Sequence, residues 1–176
     1  MTSLAQTKDS LIAQINEITN LNSDDIQIIE ILDNEFTSVR GYQTEWMELD
    51  VDFADILDAK MQYCLVFDKD TKSFSMYFAY TGSAWSHLEL AFFKFSDTVI
   101  TKSLEIGKSK ILVIGRTLRQ YISTGWFSLS DFLYQFITTG TVMINFTGLK
   151  WNLTTKVIPQ DHKLLFAKFY LKMMSL

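Results

Sequence analysis

Two apolar runs separated by a short polar stretch constrain this chain more than any other feature. Met61 to Phe67 and Phe74 to Tyr80 are rich in aromatic and β-branched residues, and residues 68–73 between them are almost wholly polar. Runs of that length, bounded by turn-forming residues, read as the two strands of a β-hairpin. The same period of two is visible upstream, where Met47, Leu49, Val51 and Phe53 alternate with Glu48, Asp50 and Asp52. Further strands are expected over Leu88 to Phe95, a dense apolar stretch, and Thr98 to Ile106, and alternation returns in Val142, Ile144 and Phe146 before Leu149, Trp151 and Leu153, these two groups forming a second hairpin around Thr147-Gly148. Ile111 to Ile114 is apolar without interruption, the pattern of a strand buried on both faces. Thr117 to Ser123 fits either a strand or a helix.

Elsewhere the period lengthens to 3.6. Leu11, Ile12, Ile15 and Ile18 form a helical stripe over residues 8–21. Ser23 can cap a second helix over 24–38, with Asp24 and Asp25 in its first turn, where the helix dipole favours anions. A short helix is expected from Phe53 to Lys60. Ser128 to Asp131 has capping-box spacing ahead of Phe132, Leu133, Phe136 and Ile137, with Gly140 as the stop. Pro159 stands where a last helix can begin, although Leu164 to Met174 would also suit a strand. The expected fold is α+β: N-terminal helices, a mainly antiparallel sheet of about five to seven strands, and one or two C-terminal helices. Seven Gly and one Pro leave little linker material in 176 residues, so 1–176 reads as one domain, with 1–40 an acidic helical arm or cap and 41–176 a sheet-rich core.

Charge also divides the chain, at a point further along. Met1 to Asp58 holds thirteen acidic residues against Lys8 and Arg40, a net of −11, while Ala59 to Leu176 holds seven acidic against fourteen basic, a net of +7, giving −4 in all. Such asymmetry is expected either of segments that neutralise each other or of an interaction surface. Cys64 is the only cysteine, which excludes an intrachain disulfide and reads as a small buried hydrophobe. No apolar run reaches the roughly 20 residues of a membrane span, and no secretory signal is evident, so an intracellular compartment or a virion interior is expected. The sequons at Asn145 and Asn152 are discounted on the same ground.

Catalytic patterns are absent. His87 and His162 are the only histidines, and neither accompanies a nucleophile elbow; Ser86-His87-Leu88-Glu89 reads as a surface pair on one strand face. Gly107-Lys108-Ser109 resembles the end of a phosphate loop, but Lys102 stands where its first glycine should be, and Gly115 lacks the partner glycines of a dinucleotide fingerprint. Glu48, Asp50, Asp52, Asp55 and Asp58 form the densest acidic stretch; on a regular strand the first three share one face, but Ala54 breaks the calcium-loop pattern. No metal or cofactor is expected.

The residues singled out for contact are therefore Glu48, Asp50, Asp52 and Asp55 on the acidic side; Lys108, Lys110, Arg116, Arg119, Lys168 and Lys172 on the basic side; and Trp85 and Trp126 beside turn glycines. Lys94, Lys102 and Lys163 belong to the same basic remainder. The pattern points to a non-enzymatic interaction or assembly protein that forms homo-oligomers, as viral structural proteins of matrix type do, with a protein partner, an anionic membrane surface or a nucleocapsid as its contacts and direct nucleic-acid binding as a weaker option. Two alternatives are an inhibitor or immunity protein masking a basic partner, and a module binding an apolar small molecule.

Overall fold

A computed structural model describes residues 13, 28–31, 40–53, 58–83, 87–106, 112–114, 116–126, 131–149 and 152–176. The central hairpin is present: β5 (Lys60–Asp68) pairs antiparallel with β6 (Ser73–Gly82), with Tyr63 opposite Phe78 and Phe67 opposite Phe74. Its turn is fixed by Asp68, whose carboxylate accepts hydrogen bonds from the Asp70 amide and the Thr71 hydroxyl, the Asx-type closure that makes Asp a turn residue.

Around this hairpin runs the first sheet. On one side β5 receives β2 (Gly41–Gln43), which in turn pairs with β1 (Ile29–Ile31), and then β3 (Met47–Leu49). On the other side β6 pairs with β11 (Thr117–Ser123), which carries β9 (Glu105–Ile106) and β10 (Leu112–Ile114) along its far edge. The second sheet has the order β4 (Val51–Asp52), β13 (Asn152–Thr155), β12 (Val142–Gly148), β7 (Leu88–Phe95) and β8 (Thr98–Ser103). Among the described residues all pairings in both sheets are antiparallel.

Two strands belong to both sheets. β3 continues into β4 through Asp50, and β8 into β9 through Leu104, whose amide bonds Glu89 O. Each bend carries the chain from an edge of one sheet to an edge of the other. The strands thereby close a ring: β3/β4, β5, β6, β11, β9/β8, β7, β12, β13 and back to β4. The strand segments number thirteen among the described residues, or eleven strands when each bent pair is counted once, against the five to seven expected. The shortfall lies partly in β1 and β2, three residues each and too short to show a period of two; the two bends, which keep the alternation intact, are silent in the hydrophobic pattern as well.

Backbone pairing at the bends and strand ends is completed by threonines. From Gln43 opposite Val66 to Met47 opposite Tyr63, the β2–β3 chain advances one residue more than β5 does. That is a β-bulge. Within it buried Thr44 donates its amide to Leu65 O, and its Oγ1 accepts the Leu65 amide at 3.1 Å. Thr124 Oγ1 takes the Met76 amide at 3.1 Å, and Thr155 Oγ1 the Ile144 amide at 2.7 Å, in the same way. Gly41 is required for close approach: a Cβ there would fall on the Phe67 carbonyl of β5.

Inside the ring the sheets meet directly where Phe78 packs edge-on against Phe146 at 5.1 Å. Elsewhere two helices, α1 (Asp131–Thr138) and α2 (Gln160–Met174), fill the core between them. Phe132 of α1 packs on Phe93 and Phe95 of the second sheet; Phe166, Phe169 and Tyr170 of α2 pack on Tyr63 and Phe74 of the first; Phe136 and Phe166 stack on each other. Buried residues cover more than half the circumference of α2, and Leu164, Leu165, Lys168 and Lys172 on the remaining arc are half-buried, a wider apolar face than that of a helix laid upon a single sheet. That distribution blurred the helical stripe and left the tail ambiguous between helix and strand; it is a helix beginning at Pro159.

Other expectations are corrected here. Within the helix expected over 24–38, Ile29–Ile31 form a strand on β2, while most of its remainder, and all but Ala13 of the helix expected over 8–21, lie outside the described residues. Lys60 opens β5 rather than ending a helix. Among the described residues β10 pairs only with β11, at the edge of the sheet rather than as a central strand. No helix among the described residues is long and apolar enough to cross a membrane.

Candidate interaction face

The inward side of the first sheet is core. Its outward side is not the polar surface that alternation would predict. Register places Cys64 and Val66 of β5, Tyr77 and Ala79 of β6, and Tyr121 of β11 on this side, in cross-strand rows. The bulge at Thr44 brings Trp46 over the same side, where its ring lies 5.9 Å from that of Tyr121, two strands beyond β5. Bulges commonly re-aim a neighbouring side chain in this manner. Trp46 and Tyr77 cover Cys64 and Val66, which are buried as a small second apolar cluster. Beyond Tyr77, Trp126 stands edge-on at 6.4 Å and is 42% exposed, after Gly125 in a left-handed conformation.

Polar residues frame these rings. The row Glu48, Gln62, Ala79, Tyr121 crosses four strands, and the next row holds Lys60, Thr81 and Arg119. The Arg119 guanidinium lies over the Tyr121 ring, 5.2 Å from its centroid. Its Nε is shielded from water without a hydrogen-bond partner. Between the β3/β4 bend and β5, a cleft of about 470 Å³ opens on this face, with Gln62, Ala79 and Thr81 along one side and Glu48, Asp50 and Phe53 along another.

The expected acidic cluster does not survive as one row. The bend at Asp50 leaves Glu48 on the first sheet and sends Asp52 to the second, opposite Thr154. Asp50 itself forms an exposed ion pair with Lys156 at 2.8 Å, and that carboxylate raises the Lys156 pKa. Part of the charge division is thus neutralised within the chain. Among the described residues no group of three or more His, Cys, Asp or Glu side chains is placed to hold a metal.

Nor do the basic residues form one patch. Lys94 is exposed on β7, whereas Lys102 points inward over the Phe132 ring, and burial lowers its pKa. Lys163, 1% exposed, donates to the Thr139 and Gly140 carbonyls just beyond α1. It satisfies carbonyls at the negative end of that helix, and burial lowers its pKa. Lys168 and Lys172 are half-buried on α2, and Arg116 is exposed at a turn. Asp55, Trp85, Lys108 and Lys110 lie outside the described residues.

The histidines are placed apart. His87 has a positive φ and precedes β7 rather than sharing a strand face with Glu89. His162 Nδ1 is 3.0 Å from the Tyr63 hydroxyl. Burial, reinforced by the charge of Asp161, pushes that phenol far above its usual range, so the contact ties α2 to β5 and leaves Tyr63 a poor proton donor or acceptor. The two sequons face each other across β12 and β13, Asn145 opposite Thr154 and Thr147 opposite Asn152.

Of the residues singled out from the sequence, Glu48, Arg119 and Trp126 lie on this face; Trp46, Tyr77 and Tyr121, which lie on it too, were not among them. Phe74 to Tyr80 is apolar at both parities, so alternation could not separate core from outer face. The chain matches no protein-family model, no curated protein and no solved structure.

Proposed function

We propose that the protein acts by contact with another protein, through the outward side of its first sheet. The observation that carries this reading is the gathering of Trp46, Tyr77, Tyr121, Trp126 and Arg119 on the side of the sheet away from the core. Trp, Tyr and Arg are the residues that dominate binding energy at protein interfaces, because they bury large areas and still offer a polar group. Framing by Glu48, Lys60, Gln62 and Thr81 gives the polar rim such a patch needs. Less supports the inhibitor reading, since Asp50 is already paired and Asp52 faces elsewhere. The test is crosslinking of the full chain in extracts of its native host. Crosslinks between partner proteins and residues 45–48, 60–62 or 116–126 are expected, lost on Trp126→Ala with Tyr121→Ala; crosslinks confined to the second sheet would refute the assignment.

A further inference from the structure

We infer that this face is self-complementary and docks a second copy of the chain about a twofold axis, a deepening that rests on the interaction reading above. Glu48 and Arg119 occupy opposite ends of one four-stranded face, on β3 and β11. Three strand spacings and a two-residue step along the strand separate them, about 16 Å. Neither forms an ion pair with any described residue, although Asp50, two residues from Glu48, does. The Arg119 Nε is also left shielded without a partner, and the guanidinium is held in place by the Tyr121 ring rather than by an anion.

An unpaired anion and an unpaired cation at the two ends of one patch are what an isologous contact uses, because a twofold axis makes each end meet the other's counterpart. The axis lies in the interface, perpendicular to the line from Glu48 to Arg119 at its midpoint, between β5 and β6. Gln62, Ala79 and Thr81 lie there. Rotation about it sets Arg119 of one copy against Glu48 of the other, twice. A foreign partner would have to supply both charges at that spacing; a second copy carries them already.

The four-stranded part of the face, about 14 Å across and 20 Å along the strands, is smaller than a standard stable interface. Association is therefore weak and reversible, with Kd on the order of 100 μM. Sedimentation velocity of the full chain from micromolar to millimolar concentration reads it directly. The expected result is a weight-average mass rising toward the dimer at low salt and falling back as salt is added. Glu48→Arg and Arg119→Glu should each hold the chain monomeric, weakening association at least tenfold, and the double exchange should restore the dimer. Circular dichroism of each variant checks that the fold is kept. A wild-type chain that stays monomeric throughout overturns the twofold contact. So does a dimer that survives either single exchange, or a double exchange that does not recover it. If the chain is monomeric while crosslinks to a foreign protein still map to Trp126 and Tyr121, the twofold contact falls and the interaction reading stands.

Discussion

Replacing Thr44 by valine isolates a single hydroxyl at the point where the first sheet changes register. The two side chains have nearly the same shape, so the substitution opens no cavity. What it removes is the acceptor for the Leu65 amide, held at 3.1 Å with both residues fully buried. No water reaches that amide to take its place, and leaving a buried donor unmet costs about 1–3 kcal/mol. The Thr44 hydroxyl also donates to Glu45 O, but Glu45 is exposed and its carbonyl can turn to solvent, so that loss adds little. We expect Thr44→Val to destabilise the protein by about 2 kcal/mol, moving the urea midpoint down by about 1 M. Thr44→Ser keeps the acceptor and should lose about 1 kcal/mol or less. Hydrogen exchange supplies a site-specific readout, since the Leu65 amide should lose protection in the valine variant and keep it in the serine variant. A valine variant as stable as the parent, with Leu65 still protected, would show that the bulge does not depend on this hydroxyl.

Three further outcomes are expected. Lys163→Met keeps the buried stem but removes the donor to the Thr139 and Gly140 carbonyls, costing about 1–2 kcal/mol at neutral pH by chemical denaturation. Because burial lowers the Lys163 pKa in the fold, the unfolded chain holds that proton over the interval between the folded value and the ordinary value of 10.5, so stability from this residue rises with pH across that interval; the difference between parent and Lys163→Met should grow there, and a constant difference counts against the assignment. Tyr170→Phe removes a buried hydroxyl that has no partner and whose pKa burial pushes up to about 12; it should be neutral or raise stability by about 1 kcal/mol, and a clear loss would mean that the hydroxyl is satisfied. The Cys64 thiol is enclosed beneath Trp46 and Tyr77, and burial raises its pKa, so it should react with a thiol reagent only at the rate of unfolding; rapid labelling of the native protein would contradict the covered outer face.

The parts of the fold legible in the sequence are those set by local pattern. Both hairpins, the strand at Leu88–Phe95 and the helix behind Asp131 follow from period and turn chemistry within a few residues. Three things were not legible. The bends at Asp50 and Leu104 leave alternation undisturbed, so one strand shared by two sheets reads as one strand in one sheet. Lys163 and Lys102 look like surface charge in a linear reading, and only the helix and edge strand that carry them turn them inward. The aromatic face depends on a single inserted residue near Thr44, which sends Trp46 to the outward side; nothing in the spacing of 41–49 announces it.

The closed ring of strands also governs how fast the chain reaches its native state. Hairpins β5–β6, β7–β8 and β12–β13 need only neighbouring residues. The seams between them join residues at growing separation: Leu118 with Gly82, Val142 with Phe95, and Thr154 with Asp52. The last seam closes the ring and spans most of the described chain, so its loop entropy is committed before any of its contacts form. Until it closes, β4 and β13 present open edges, and the aromatic residues that α2 will cover remain exposed. Folding should accordingly be slow for a domain of this size, and the period before closure is when unpaired edges can capture a neighbouring chain.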